Sequence, residues 1–225
     1  MYAIAPGILV LEGLKTGRSY LVEGEDGIAL VDTSSADVSK RIVGAIEEAG
    51  HRTEDLRTIV ATHYHSDHTG NVAALIEHSG AQLCVHADDA PYVDGRLPWM
   101  AARPPFQILD QFGPKPFSLK VDRVLHDGDV LPFAGGARVL HAPGHTPGHI
   151  ALYSKERRVL FAGDALMNIA GLRLPLSMSS HDMAAARASV HRLAELEFDI
   201  ALPGHGAPII GRASEKIAEW ARKWL

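Results

Sequence analysis

The chain has 225 residues, of which 46% are hydrophobic and 22% charged, and a formal net charge of −5. That is enough for one large domain or two small ones of ordinary globular composition, with no basic block to suggest a nucleic-acid surface. No stretch is apolar enough to span a bilayer, and the single cysteine, Cys84, excludes an internal disulfide. Met1–Gly7 has neither a basic start nor a long apolar core, so no secretory leader is expected and a cytoplasmic location is the default.

Residues 2–11 read as a first strand broken by Pro6-Gly7. Arg18 to Glu23 and Ile28 to Asp32 form a hairpin around the turn residues Gly24 to Gly27. Ser34 followed by Asp37 has the form of a capping box. It predicts a helix to about Ala49 with Ile42, Val43, Ile46 and Ala49 on its buried face and Gly50 as its stop. Leu56 to Ala61 is a buried strand, Asn71 to His78 a helix, and Gln82 to His86 a strand holding Cys84 as an inert thiol.

Residues 88–120 contain six prolines and five aromatics (Tyr92, Trp99, Phe106, Phe112, Phe117), which argues for a flap or wall rather than disorder. Strands then resume at 121–126, 130–133, 137–141, 150–154 and 158–162. The hairpins Tyr20–Asp32 and Ile150–Asp164 form a weak internal repeat, each ending in aspartate. Ser179 with Asp182 predicts a second capping box and a helix to about Glu195, followed by a strand at 199–202. A last helix from about Arg212 places Ile217, Trp220, Ala221 and Trp224 on one face, for core or dimer packing. Helices occur singly after groups of strands, which suits sheets in the middle with helices outside, and no linker divides residues 1–225, so one domain is expected.

Four possible metal ligands, His63, His65, Asp67 and His68, fall within six positions on the loop after the 56–61 strand. His63 and His65 are two apart in extended chain and can face one point, while Asp67 and His68 follow a turn and can face another. His145, Asp164 and His205 each follow a predicted strand beside glycine. Five imidazoles and two carboxylates permit two sites with a shared position, of nitrogen and oxygen character that suits zinc and also admits iron or manganese.

The run His63-x-His65-x-Asp67-His68 followed by His145, Asp164 and His205, with Asp32 at the end of an early strand, resembles the metallo-β-lactamase-fold hydrolases over nearly the whole chain. The resemblance implies an α+β fold, a four-layer αββα sandwich of two mixed sheets flanked by helices. It implies that His63, His65 and His145 hold one metal, that Asp67, His68 and His205 hold the other, and that Asp164 bridges them. The bridging aspartate resembles the glyoxalase-II and lactonase branches, and His65 separates the chain from flavodiiron proteins, which carry glutamate there. Two positions depart from those branches. Met167 stands where acyl-homoserine lactonases usually have tyrosine, and only about twenty residues follow His205, where glyoxalase-II enzymes have a longer helical region.

The expected activity is hydrolysis of a small ester, thioester or lactone. A hydroxide bridging two metals would be the nucleophile, and Asp67 would orient it and pass on its proton. The competing readings are a sulfur dioxygenase with a single iron near His63, His65 and Asp164, a β-lactamase-like or phosphodiesterase enzyme, and a non-enzymatic metal-binding role. The partner is a small-molecule substrate, with no nucleic acid or membrane and with a homodimer possible. His141 and His149 flank the third ligand, and His149 is expected to be structural; His51, His78, His86, His126 and His191 are expected to be structural or solvent-exposed, and His181, Arg103 and Arg173 are candidates to meet substrate.

Overall fold

A computed structural model of the chain describes residues 1–99 and 118–225. Of the expected wall over 88–120, residues 100–117, including Arg103, Phe106, Phe112 and Phe117, lie outside the described residues. A first sheet of seven strands runs in chain order: β1 (Tyr2–Ala5), β2 (Ile8–Val10), β3 (Tyr20–Gly24), β4 (Gly27–Val31), β5 (Leu56–Val60), β6 (Gln82–His86) and β7 (Arg123–Leu125). Neighbours from β1 to β4 are antiparallel, and those from β4 to β7 are parallel. The connections of the parallel half carry α1 (Ser39–Glu48), α2 (Ser66–Thr69), α3 (Val72–Ser79) and α4 (Ala90–Val93).

The second half of the chain supplies β8 (Val130–Leu131), β9 (Ala137–His141), β10 (Ile150–Ser154) and β11 (Val159–Gly163), then a two-stranded hairpin of β12 (Met167–Asn168) and β13 (Leu172–Arg173). Helix α5 (Met183–Ala194) leads to β14 (Ile200–Pro203) and β15 (Ile209–Ile210), and α6 (Ala213–Trp224) closes the chain. The second sheet has the order β15-β14-β11-β10-β9-β8, with β11 and β14 its parallel pair. Each half thus builds an antiparallel hairpin and then adds a parallel strand, β5 beside β4 and β14 beside β11, which gives the weak repeat in the sequence a structural counterpart.

Alternation along the strands sorts side chains into layers. Ala29 and Val31 of β4 meet Val159 and Phe161 of β11 in a core between the sheets. Ile28 and Leu30 face outward onto Ile42 and Ile46 of α1 and Leu75 of α3, and Leu160 and Ala162 face Val190 of α5 and Ile217 of α6. The result is the helix–sheet–sheet–helix arrangement the sequence suggested. Tyr20 ties the two sheets together. It is 2% exposed, its ring stands edge-on to Phe161 at 5.8 Å, and its hydroxyl donates to Pro203 O at 2.5 Å.

Three local expectations need correction. Helix α1 begins at Ser39 with Val38 as N-cap and no side-chain cap, because Ser34 donates to Thr16 O instead and Asp37 sits at φ 67°. Helix α5 is capped by Asp182, whose Oδ1 accepts from Ala184 N and Ala185 N, while Ser179 belongs to a separate 3₁₀ turn. On α6, Ile217 and Ala221 are buried but Trp224 is 66% exposed.

The Tyr20 tie generates a stability test. Tyr20→Phe leaves the Pro203 carbonyl without its buried donor and is expected to cost about 1–3 kcal/mol, read as a lower midpoint in denaturant unfolding; an unchanged midpoint would show that the tie carries no weight.

Candidate metal centre

Parallel pairing places the ends of β4, β5, β11 and β14 at one rim of the facing sheets. Asp32 directly follows β4, His63 lies three residues past β5, Asp164 directly follows β11, and His205 lies two residues past β14. His145 comes from the β9–β10 loop, and the short helix α2 carries Asp67 and His68. All seven side chains expected to act together converge. His63, His65 and His145 bring ligand atoms within 4.8 Å of one another, as do Asp67, His68 and His205, and also His63, His68 and Asp164.

The individual approaches are close. His65 Nδ1 lies 2.9 Å from His145 Nε2. His205 Nε2 lies 3.1 Å from Asp67 Oδ2 and 3.4 Å from His68 Nε2. Asp164 reaches both groups, with Oδ1 at 3.6 Å from His68 Nε2 and Oδ2 at 3.5 Å from His145 Nε2 and 3.4 Å from His205 Nε2. Gly204 makes room for this carboxylate, since a Cβ there would stand 2.1 Å from Asp164 Oδ1.

Hydrogen bonds behind the imidazoles fix which nitrogen faces inward. His68 Nδ1 donates to Asp32 Oδ2 at 2.7 Å, turning Nε2 toward the centre. Thr62 Oγ1 donates to the same Asp32 oxygen at 2.8 Å, so it accepts from His63 Nδ1 at 3.1 Å and leaves His63 Nε2 as a bare lone pair. Ser180 Oγ donates to Leu176 O and therefore accepts from His145 Nδ1 at 3.1 Å. Orientation of this kind is what metal-bound histidine requires.

The fit to a metal can be tested on two atoms. Among the described residues, His63 Nε2 and Asp164 Oδ1 are buried and have no hydrogen-bond partner. Orphaned polar atoms are costly in an interior, and both point among the other ligand atoms, so this nitrogen and oxygen donor set suits a divalent ion. A further group, His86, Asp88 and His141, also brings its ligand atoms together. It is less suited, because His86 Nδ1 accepts from Asp88 N and His141 Nε2 donates to Pro147 O, and the two rings stack at 4.1 Å.

Burial, and then the neighbouring imidazoles, hold His63 and His145 well below the usual imidazole range. Burial also takes His65 down to about 4. His68 behaves oppositely: burial pulls it down, but Asp32, Asp164 and Asp67 together push it up to about 10. Burial lifts Asp164 to about 6 against the pull of His68 and His205. Burial would raise Asp67 too, but His68 and the His205 hydrogen bond hold its carboxyl below the ordinary range.

Other histidines fall outside the convergence. His149 is buried, donating from Nδ1 to Ala142 O and accepting Asp164 N at 2.8 Å, so it seats the Asp164 backbone. His181 Nε2 meets the buried Tyr64 hydroxyl at 2.9 Å rather than lining the cavity. Two residues carry more of the site than their sequence positions suggest. Asp32 was marked only by its place at a strand end. Asp89 was not marked at all, and its carboxylate accepts Tyr64 N, Thr146 Oγ1 and Gly148 N, strapping the His63–His65 loop to the His145 loop.

Two expectations follow. At pH 8 His68 keeps a proton that a metal must displace, so adding a divalent ion to metal-free protein is expected to release protons in a pH-stat, less so above pH 10. The raised value stabilises the metal-free fold fully below about 6.5 and that contribution is lost as pH rises through about 10; no proton release at pH 8 would contradict the assignment. Asp32→Ala frees the His68 ring and the Thr62 hydroxyl, and is expected to weaken metal affinity about 10- to 100-fold by competition titration, whereas native affinity would show the carboxylate to be dispensable.

No helix among the described residues is long and apolar enough to cross a membrane. The chain is 30% identical over 203 residues to the probable metallo-hydrolase YflN of Bacillus subtilis (strain 168), covering 81% of this chain and 76% of that one. It is 29% identical over 161 residues to hydroxyacylglutathione hydrolase GloC of Haemophilus influenzae, covering 71% and 70%. A protein solved in a di-iron-bound form superposes with a TM-score of 0.69 at 31% identity, covering 90% of this chain and 93% of that one. The family model of the metallo-beta-lactamase superfamily matches residues 13–205, a span that holds every converging side chain, and the chain belongs to that superfamily.

Proposed function

We propose that the chain is a two-metal hydrolase of a small ester, thioester or lactone, with His63, His65 and His145 holding one ion, Asp67, His68 and His205 the other, and Asp164 shared. The observation that carries this reading is the position of Asp164, whose two oxygens lie within 3.6 Å of imidazole nitrogens from both groups. Zinc suits the donor set; the di-iron-bound relative favours iron as the second reading of the metal's identity. When bound, such a pair of ions lowers the pKa of a shared water and polarises a carbonyl oxygen.

The chain's own groups supply the rest. Asp67 is the one carboxylate of the set that is partly exposed, at 30%, and it lines the cavity, so it can hold the proton lost by the attacking water and deliver it to the leaving atom. The cavity has a volume of about 440 Å³, with Trp99, Met167, Ile169 and Leu176 as an apolar wall and Arg173 beside it. That wall seats an apolar acyl group and keeps bulk water from the reacting carbonyl, and Arg173 can meet a negative charge on it. The hairpin of β12 and β13 that bears Met167, Ile169 and Arg173 is bonded to the His205 loop through Asn168 N to His205 O at 3.0 Å, so wall and ligand move together. No protein nucleophile is required. Cys84 is buried in the core between the sheets, where burial pushes its thiol up to about 11. The relative GloC is named for cleavage of a hydroxyacylglutathione, which favours thioesters within the proposed class.

A panel of thioesters, esters, lactones, phosphodiesters and β-lactams, assayed with metal content measured on the same sample, tests the reading. The expected result is turnover of the first three groups that chelation abolishes and zinc restores. Asp67→Asn is expected to lower kcat by about 10²–10⁴-fold, and Asp164→Ala to retain no more than one ion; turnover confined to phosphodiesters, or two tightly held ions in Asp164→Ala, would overturn the proposal.

A further inference from the structure

His205 also lines a second cavity, of about 300 Å³, formed with the loop between β2 and β3 and shared with Lys15, Arg18, Gly204 and Gly206. Two of its lining residues carry fixed positive charge and none is acidic, in a chain whose net charge is −5. Arg18 is anchored by its backbone N–H to Gly204 O at 2.7 Å and by Nε to Gly206 O at 2.9 Å. Its terminal nitrogens have no carboxylate partner among the described residues. Lys15 meets Asp37 only at 3.4 Å, with the two side chains 55% and 86% exposed, a pair too solvated to hold the ammonium in place.

The loop itself is built rather than loose. Thr16 O accepts from Ser35 N at 3.1 Å and from Ser34 Oγ. Gly17 sits at φ +72°, where a Cβ would stand 2.0 Å from Asp67 O, so the loop is pressed against the residue that carries the proposed proton shuttle. The backbone N–H groups of residues 13–17 donate to no group of the chain among the described residues. Free backbone donors, an anchored guanidinium and a mobile ammonium around one concavity are the chemistry of anion recognition.

We propose that this cleft is an anion subsite for the leaving group of the substrate, taking a carboxylate or phosphate at its far end. The proposal rests on the hydrolase reading above. In that reaction water adds its oxygen to the acyl carbon, the carbon–sulfur or carbon–oxygen bond breaks, and the leaving atom takes a proton from Asp67. The acyl group occupies the apolar cavity, so the leaving atom departs toward Asp67 and His205. A short chain carried on that atom passes His205 into the cleft, and its charge ends at Lys15 and Arg18.

The test uses metal-loaded protein and thioesters with one acyl group and three leaving thiols, ending in a carboxylate, a phosphate or a neutral amide. The readout is the ratio of kcat/KM for each charged substrate to that for the neutral one. In Lys15→Glu the ratio is expected to fall at least about tenfold, through KM, for whichever anion the cleft takes. Lys155→Gln, an exposed lysine in a distant turn, is expected to leave it unchanged. The second readout is binding of the three free thiols by calorimetry, in which the preference for the charged thiol is expected to be lost in Lys15→Glu. A ratio and a binding preference that are the same in native protein and Lys15→Glu would overturn the subsite while leaving the hydrolase reading intact. Charge-selective thiol binding that Lys15→Glu removes, with no thioester, ester or lactone cleaved, would instead uphold the cleft and remove the hydrolase reading.

Discussion

Asp32 is the constraint on which the rim of this protein depends. The residue is 1% exposed and its backbone sits at φ 59°, a conformation an L-residue adopts at a cost. From there it accepts three donors: His68 Nδ1, Thr62 N and Thr62 Oγ1. Two of those bonds set the orientations of neighbouring imidazoles, His68 directly and His63 through the threonine hydroxyl. The buried acid therefore does more than hold β4 to β5. It decides which lone pairs face inward, before any ion arrives.

The fold and the electrostatics make sense as one arrangement. Two sheets, each an antiparallel hairpin extended by a parallel strand, bring four strand ends to a common rim. The rim then holds buried groups in opposed states. Three imidazoles are kept neutral by burial, while His68 is kept charged by three carboxylates. Cations between the two groups would satisfy the neutral imidazoles and take over the compensation that the His68 proton supplies to Asp32, Asp67 and Asp164. A hydrolytic centre and a proton-linked metal equilibrium are then two consequences of the same crowding.

The sequence made the ligand set legible because its members sit where a pattern is local: a dense run at 63–68, and single residues beside glycine after apolar strands. Resemblance to a family supplied their partition into two groups, which spacing alone left open. Layers were legible in the order of elements, helices occurring singly after groups of strands, whereas the wholly apolar run Ile28 to Val31 carries no alternation to say which side chains face the other sheet. The misses share a physical origin. Ser34 and Ser179 carry the residue types of helix caps, but long-range bonds and local backbone placed the caps elsewhere, at Val38 and Asp182. Asp89 straps loops 57 and 59 residues away, through Thr146 and Gly148, and no local signal marks such a bond. Trp224 follows the helical period of α6, yet as the last residue of that helix it is left 66% exposed.

The central claim is that seven side chains from separated loops point their lone pairs at two adjacent positions that share Asp164. Anomalous diffraction from crystals of the zinc-loaded protein tests it most directly. The account requires two peaks about 3.5–4 Å apart, one among His63, His65 and His145 and the other among Asp67, His68 and His205, with Asp164 between them. A single peak, or density at His86 and His141 with these seven side chains turned aside, would contradict it.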